Sequence, residues 1–249
     1  MTPVLIAHRG EPLSWPENSL AGCTAALEAG ARYLETDVQI TVDGIPVLSH
    51  DASLLKLTGH DLEIATTDYR TLSSLSAGYP ERFGERFSDL RIAPLEAFTR
   101  LLQQWPDVLA FVEIKSAAIK AYGATRATDI ILEVLGGVLS QCHIISFDTA
   151  PLAAARRRAG LPVGWVLPAW SPEQRARAAE LEPEYLFCNR KRLPPINEPL
   201  WPGPWQWVGY TVNDPDEVPG FAERGFAMLE TDCISRLLAG PRPAHAAHD

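Results

Sequence analysis

Short apolar runs of strand length recur along the chain, and stretches of helical character lie between most of them. A run without polar alternation is typical of a strand buried on both faces, as in a parallel sheet covered by helices. The predicted strands lie at residues 4–8, 33–38, 109–114, 142–146, 162–167, 185–188, 206–211 and 227–230. The predicted helices lie at residues 17–30, 94–105, 124–139, 149–159, 172–182 and 215–224. Eight strands with intervening helices in 249 residues predict an α/β fold, a TIM-like (β/α)8 barrel, with a doubly wound open sheet as the alternative.

Two segments interrupt this alternation. Residues 51–93 follow the second strand and are too long for an ordinary connection, so we expect a small insertion there. Residues 193–204, LPPINEPLWPGP, carry five prolines. Because proline lacks the amide N–H that a helix needs as a donor, we expect an irregular connection between the predicted strands at residues 185–188 and 206–211. No linker divides the chain, which predicts a single domain over residues 1–240 and a disordered tail over residues 241–249.

The composition narrows the classes of partner and compartment. A net charge of −9 argues against nucleic acid or an anionic membrane as the main partner, because both attract basic surfaces. No apolar run approaches the roughly 20 residues of a membrane helix, and the first residues lack the charged region of a secretory signal. The cysteines, Cys23, Cys142, Cys188 and Cys233, form no C-x-x-C pair. We therefore expect no zinc site, and reduced thiols in a cytoplasmic protein.

Carboxylates stand at the ends of two predicted strands. In YLETDVQIT, Glu35 and Asp37 share one face, because side chains alternate along a strand. In LAFVEIKS, Glu113 and Lys115 share a face in the same way. Three carboxylates are hard oxygen ligands and suit Mg²⁺ or Ca²⁺ better than zinc. The pattern predicts one divalent cation at the mouth of the barrel.

Two histidines also stand at apolar strand ends beside charged residues. His8 and Arg9 follow the run VLIA, and His50 follows PVLS. A histidine pair suits general base and general acid work in one turnover, because the imidazole pKa lies near neutrality. Arg9 and Lys115 supply fixed positive charge for phosphate oxygens. Together with a divalent cation, these residue types predict metal-assisted displacement at a phosphoryl centre.

Seven short motifs in order give a more specific indication. AHRG, PENS, ETD, SHD, EIK, YTVND and a second ETD, spread over about residues 4–238, resemble the glycerophosphodiester phosphodiesterase family. The resemblance implies a TIM-like barrel with a small insertion after the second strand. It also implies metal-dependent hydrolysis of glycerophosphodiesters to glycerol 3-phosphate and an alcohol.

The same resemblance implies a role for each matching residue. His8 and His50 match the acid–base pair, and Arg9 and Lys115 match the phosphate contacts. Tyr210, where the family often has tryptophan, is expected to contact the substrate, while Glu17 and Asn18 in PENS would brace the first loop. The metal-ligand positions are matched by Glu35, Asp37 and Glu113.

Several alternatives stay open at this point. A lysophospholipase D-like enzyme would use the same residues and would need an apolar rim, for which Trp201, Trp205 and Trp207 are the candidates. A non-catalytic barrel that binds a phosphorylated ligand would lack a histidine or a carboxylate, and none is missing here. The attacking group is either the substrate's own C2 hydroxyl, which gives a cyclic intermediate, or water. The head-group alcohol, the native metal and the oligomeric state are also left open.

Overall fold

A computed structural model of the chain describes residues 2–240. The tail expected at residues 241–249 lies outside the described residues. Within them, nine strands form one sheet in the order β1-β9-β8-β7-β6-β5-β4-β2-β3. The strands are β1 (Val4–His8), β2 (Tyr33–Ile40), β3 (Pro46–Leu48), β4 (Leu109–Ile114), β5 (Cys142–Ser146), β6 (Val163–Val166), β7 (Tyr185–Asn189), β8 (Gln206–Tyr210) and β9 (Met228–Thr231).

Strand β1 closes the sheet, because it pairs in parallel with both β2 and β9. Eight strands therefore form a closed parallel barrel, and β3 lies antiparallel along β2 outside it. The predicted TIM-like barrel is confirmed, and the open-sheet alternative is wrong. All eight predicted strands are present, with ends shifted by no more than two residues.

Helices cover the outside of the barrel and build the insertion. They are α1 (Leu20–Glu28), α2 (Leu55–Thr58), α3 (Tyr69–Ser74), α4 (Pro80–Phe83), α5 (Leu95–Gln104), α6 (Ser116–Tyr122), α7 (Ala124–Leu135), α8 (Thr149–Ala159), α9 (Pro172–Leu181), α10 (Val218–Glu223) and α11 (Ile234–Leu238). None of the helices in this described part of the chain is long and apolar enough to cross a membrane.

The first helix begins three residues later than predicted. Asn18 takes a left-handed conformation with φ of 58°, so it cannot belong to a right-handed helix. Ser19 then caps α1, accepting a hydrogen bond from the backbone N–H of Gly22 on its side-chain oxygen. The predicted start at residue 17 is therefore wrong, and Glu17 and Asn18 belong to a loop at the mouth of the barrel.

The proline-rich connection contains no α-helix between β7 and β8, as predicted. Tryptophans fill the space that a helix would cover: Trp201, Trp205 and Trp207 are 6%, 7% and 6% exposed. The Trp207 indole N–H donates to the carbonyl of Trp201 at 3.1 Å, and Trp170 stacks on Trp201 with ring centroids 4.1 Å apart. These side chains pack beneath the loop and form no exposed apolar rim.

The insertion has a small core of its own beside the barrel. Strand β3 begins it at Pro46, earlier than the predicted boundary at residue 51, and pairs with the end of β2. Its buried core consists of Val47, Leu54, Ile64, Leu72, Ala77 and Ile92. This packing fixes the segment that follows β3, and with it His50.

The barrel interior changes from apolar to polar toward the carboxyl ends of the strands. The closed interior is filled by Ile6, Phe111, Ile145, Val166, Phe187, Val208 and Met228. Because inward side chains recur every second residue, the next inward positions after Ile6, Phe111 and Met228 are His8, Glu113 and Glu230. An apolar floor therefore lies beneath a layer of charged side chains.

Candidate active site

The predicted site residues meet at the carboxyl end of the barrel. The strand register sets His8 beside Glu35 and Asp37 beside Glu113. A cavity of about 70 Å³ lies between them. Its charged lining is His8, Arg9, Glu35, His50, Glu113, Lys115 and Glu230, and its other lining is Ile145, Phe147, Val166, Phe187 and Tyr210.

Three buried carboxylates form a cluster on one side of the cavity. Glu35, Asp37 and Glu113 each offer an oxygen, and these atoms lie within 4.8 Å of one another. The Glu35 Oε1 atom is buried and finds no hydrogen-bond partner within residues 2–240. Such an orphaned oxygen in a hard-oxygen donor set fits a bound Mg²⁺ or Ca²⁺.

Two cations compensate part of this charge. The Arg9 Nε atom lies 2.9 Å from Asp37 Oδ2, and the Lys115 Nζ atom lies 3.1 Å from Asp37 Oδ1 and 2.9 Å from Glu113 Oε1. Burial alone would raise the pKa of Asp37, but Arg9 and Lys115 outweigh it and hold that pKa well below its usual range. Arg9 and Lys115 therefore stand together at the cavity wall, where an anion would meet them.

The other two carboxylates respond in the opposite direction. Burial, together with the neighbouring charge of Asp37, raises the pKa of Glu35 well above its ordinary value. The same two causes raise the pKa of Glu113 to about 7. Two positive side chains thus do not fully balance three carboxylates in this buried space.

His8 is oriented by a hydrogen-bonded pair from the end of the barrel. Its Nδ1 atom lies 2.6 Å from Asp232 Oδ1, and an ionised carboxylate only accepts, so the Nδ1–H donates. Asn213 supports Asp232 by donating from Nδ2 to Oδ2 at 2.9 Å and accepting from the Asp232 backbone N–H at 2.8 Å. The Nε2 atom faces Glu35, 3.9 Å from its Oε2. Burial and the adjacent Arg9 lower the pKa of His8 despite Asp232.

His50 lies on the insertion at the wall of the same cavity, and it follows β3 instead of a barrel strand. Its Nδ1 atom lies 2.7 Å from Asp51 Oδ1, so both histidines direct Nδ1 to a carboxylate. The ammonium of Lys56 lies 3.4 Å from Asp51 Oδ2 and within 2.9 Å of both Glu17 oxygens. Burial and the two nearby cations of the cavity lower the pKa of His50.

Asn18 connects the first loop to the carboxylate cluster. Its Oδ1 atom accepts from the Thr36 hydroxyl at 2.8 Å and from the Asp37 backbone N–H at 3.1 Å. Its Nδ2 donates to Asp37 Oδ2 at 2.9 Å. Glu17 lies 3.7 Å from Arg9 and ion-pairs with Lys56, which joins the first loop to the insertion.

The structure also brings to the site residues to which the sequence analysis assigned no role, among them Asp51, Asn213, Glu230 and Asp232. Asp232 and Asn213 stand in the motifs ETD and YTVND quoted above. The position of these motifs at strand ends, like that of the other motifs, is the sequence signal that points to a place in the site. Glu230 lines the cavity next to Tyr210, whose pKa is raised by burial and by the charge of Glu230. Tyr210 itself lies at the cavity wall, and its contact with substrate stays a prediction.

Comparisons with known proteins identify the family of the chain. The model of the glycerophosphoryl diester phosphodiesterase family matches residues 8–235. A glycerophosphodiester phosphodiesterase of Caldanaerobacter subterraneus is 35% identical over 119 residues, which is 48% of this chain and 48% of that protein. Glycerophosphodiester phosphodiesterase 1 of Mus musculus is 34% identical over 120 residues, 46% of this chain and 36% of that protein. The matched region thus spans about half or less of these curated relatives.

Solved structures show the same fold. An Oleispira antarctica phosphodiesterase, solved in complex with sn-glycerol-3-phosphate, superposes with a TM-score of 0.83 at 22% identity, covering 96% of both chains. A glycerophosphodiester phosphodiesterase from Agrobacterium tumefaciens gives a TM-score of 0.74 at 20% identity, covering 96% of this chain and 100% of that one. At these identities the similarity establishes the barrel architecture.

Proposed function

The chain belongs to the glycerophosphoryl diester phosphodiesterase family, and from this we propose that it hydrolyses glycerophosphodiesters to glycerol 3-phosphate and an alcohol. One observation carries the proposal. Two histidines, each bonded through Nδ1 to a carboxylate, flank the same small cavity as a three-carboxylate cluster and two cationic side chains. The product found in the Oleispira antarctica structure is the one that this reaction would release.

The carboxylates Glu35, Asp37 and Glu113 would hold one divalent cation, Mg²⁺ or Ca²⁺. Such a cation supplies Lewis-acid stabilisation of the charge on the phosphoryl oxygens. Arg9 and Lys115 lie at the same wall, and both remain charged because burial is outweighed by the neighbouring carboxylates, which raise the pKa of each. They would bind the non-bridging oxygens of the diester.

His8 and His50 would carry the two proton transfers. With Nδ1–H donated to Asp232 or Asp51, the neutral ring keeps its Nε2 lone pair for a substrate proton. The other histidine, in its protonated form, donates its Nε2–H to the departing alcohol. Because the histidines come from two different elements, β1 and the insertion, one can serve the attacking oxygen and the other the leaving oxygen.

In our proposal the attacking oxygen is the substrate's C2 hydroxyl: the alcohol leaves as a cyclic glycerol phosphate forms, and water then opens this ring to glycerol 3-phosphate. Direct attack by water on the diester is the competing route. An internal hydroxyl makes the attack unimolecular, because the substrate itself brings the attacking group to its phosphate. A 2-deoxy substrate analogue distinguishes the two routes. Internal attack predicts that the analogue binds without turnover, and hydrolysis at a rate comparable to the parent would assign the attack to water.

We also place the enzyme in the cytoplasm, with a small-molecule substrate and no nucleic-acid partner. The four cysteines are all free and buried in the described structure, as in a reducing compartment. The net charge of −9 disfavours polyanionic partners. The tryptophans of the proline-rich connection are buried, so they do not supply the apolar rim for which they were the candidates in the lysophospholipase D-like alternative.

A panel of glycerophosphodiesters tests the proposed function. The choline, ethanolamine and inositol diesters would be assayed after chelation and dialysis, with Mg²⁺ or Ca²⁺ then returned. We expect release of glycerol 3-phosphate only in the presence of a cation. Failure to hydrolyse any member, or full activity in excess chelator, would contradict the proposal.

A further inference from the structure

Glu230 is a buried carboxyl group that the proposed chemistry does not use. It stands on β9 opposite Ile6 of β1, and its side chain points into the barrel mouth. Glu230 is 3% exposed, and its Oε1 atom finds no hydrogen-bond partner in the part of the chain that the structure describes. Leaving a buried carboxyl oxygen unpaired is costly, so a partner from outside the chain is the simplest way to satisfy it.

The groups already assigned do not account for this residue. The close carboxylate cluster consists of Glu35, Asp37 and Glu113, and Glu230 is not part of it. Within residues 2–240 no ion pair joins Glu230 to Arg9 or Lys115. The histidine Nδ1 atoms are taken by Asp232 and Asp51.

The surroundings of Glu230 define which group it can bind. An ionised Glu230 would repel the oxygens of a phosphate, whereas a hydroxyl can donate to Glu230 in either protonation state. A free acceptor oxygen is present whether Glu230 is ionised or protonated, so this complementarity does not depend on its charge. The cavity wall also contains Val166 and Phe187, which offer apolar contact to carbon atoms. A short, uncharged chain of carbons bearing hydroxyls satisfies both parts of the wall.

We propose that Glu230 determines specificity for the glycerol moiety of the substrate by accepting a hydrogen bond from one of its hydroxyls. The inference rests on the proposed function, because it takes the phosphate of the diester to lie against Arg9 and Lys115 in the same cavity. Glu230 would thus make the site bind glycerol in preference to an alkyl group of equal length. Phosphate binding itself then depends little on this residue.

Binding of two phosphate monoesters tests this assignment directly. Glycerol 3-phosphate and n-propyl phosphate share a three-carbon chain and differ in the two hydroxyls. Calorimetric titration would compare both ligands, at fixed cation concentration, on the wild type and on Glu230→Met, an apolar variant of similar length. We expect glycerol 3-phosphate to bind the variant roughly 10- to 100-fold more weakly, the range for leaving a buried hydroxyl without its hydrogen-bond partner, with propyl phosphate changed less than twofold.

Two further variants control the measurement. Glu230→Gln keeps a carbonyl acceptor and should retain most of the preference for glycerol 3-phosphate. Glu184→Gln, at the amino end of β7 and outside the cavity, should leave both affinities unchanged. Glu230→Leu replaces the Met variant should the latter fail to fold, which a thermal melt detects.

The outcomes separate this inference from the proposed function. Equal weakening of both ligands, unchanged binding of both, or loss of cation affinity with the glycerol preference intact would each overturn the role of Glu230. The inference and the proposed reaction can also part. If the wild type prefers glycerol 3-phosphate and Glu230→Met lacks that preference, glycerol recognition by Glu230 is supported. If the same wild type hydrolyses no glycerophosphodiester, the proposed reaction is refuted.

Discussion

Replacing Asp232 by asparagine should cost most of the turnover while leaving the fold intact. The Asn213 Oδ1 atom accepts from the Asp232 backbone N–H at 2.8 Å and from the Thr231 hydroxyl at 3.1 Å, which turns its Nδ2 toward Asp232 Oδ2. In Asp232→Asn, the amide oxygen would remain opposite this donor. The new NH₂ group would then face His8 Nδ1, 2.6 Å away in the parent, and would force Nδ1 to be the acceptor.

The size of the effect follows from the role of the displaced proton. With Nδ1 as acceptor, the proton of the neutral ring moves to Nε2, and the nitrogen that faces the cavity can no longer accept a substrate proton. Proton transfer by a positioned side chain contributes roughly 10²–10⁴ to kcat, so we expect a loss in that range. Because asparagine is nearly isosteric and keeps both contacts, the unfolding midpoint should change little.

Steady-state kinetics and ¹⁵N NMR of the histidine side chains measure this prediction. The NMR spectrum should report a shift of the His8 proton from Nδ1 to Nε2. Asp129→Asn, which alters an exposed ion pair with Arg158, is the matched control. A kcat for Asp232→Asn within about threefold of wild type would refute the reasoning. A further large loss when Asp232→Asn is added to His8→Ala would do the same, because Asp232 is argued to act through His8.

Three further predictions concern the loop, the cluster and the histidines. Gly10→Ala should destabilise the protein by at least about 2 kcal/mol more than Gly44→Ala. Both glycines have φ near +80°, so the two substitutions share the same backbone strain. A Cβ at Gly10 would lie 2.7 Å from the Gly22 carbonyl carbon, whereas none of the described atoms lies within 4 Å of a Cβ at Gly44. Equal denaturation midpoints for the two variants would contradict this packing. Asn18→Ala should lower the free energy of unfolding in urea by about 2–4 kcal/mol, because three buried hydrogen bonds are lost. Asn18→Gly loses the same hydrogen bonds but tolerates the φ of 58°, so it should recover only a minor part of that free energy. His8→Ala and His50→Ala should each lower kcat by roughly 10²–10⁴, and the double variant by much less than the product; near-normal turnover of His50→Ala would exclude it from catalysis.

The local part of the fold and site could be predicted from sequence because it depends on short-range periodicity. The period of two sets Glu35 with Asp37, and Glu113 with Lys115, on inward faces, and parallel strands bring both pairs to one edge. The apolar runs predict the barrel strands for the same reason, since a strand covered on both faces has few polar residues.

Other features depend on contacts between distant segments, which no local pattern reports. The bond between His8 and Asp232 joins residues 224 positions apart and exists only because β1 pairs with β9. The start of α1 is set by the left-handed Asn18, whose side chain is held by Asp37 of another element. Glu230 stands in the second ETD motif, at an inward position that the strand pattern alone would fill with an apolar residue, and its place in the cavity wall shows its significance.

Identifying the phosphorus-containing product tests the central claim most directly. Glycerophosphoethanolamine would be incubated with chelator-treated enzyme, with and without returned Mg²⁺ or Ca²⁺, and followed by ³¹P NMR. The account predicts one final product resonance, that of glycerol 3-phosphate, which requires the cation and is lost in Glu113→Gln. Formation of phosphoethanolamine and glycerol, or equal glycerol 3-phosphate release in excess chelator, would contradict it.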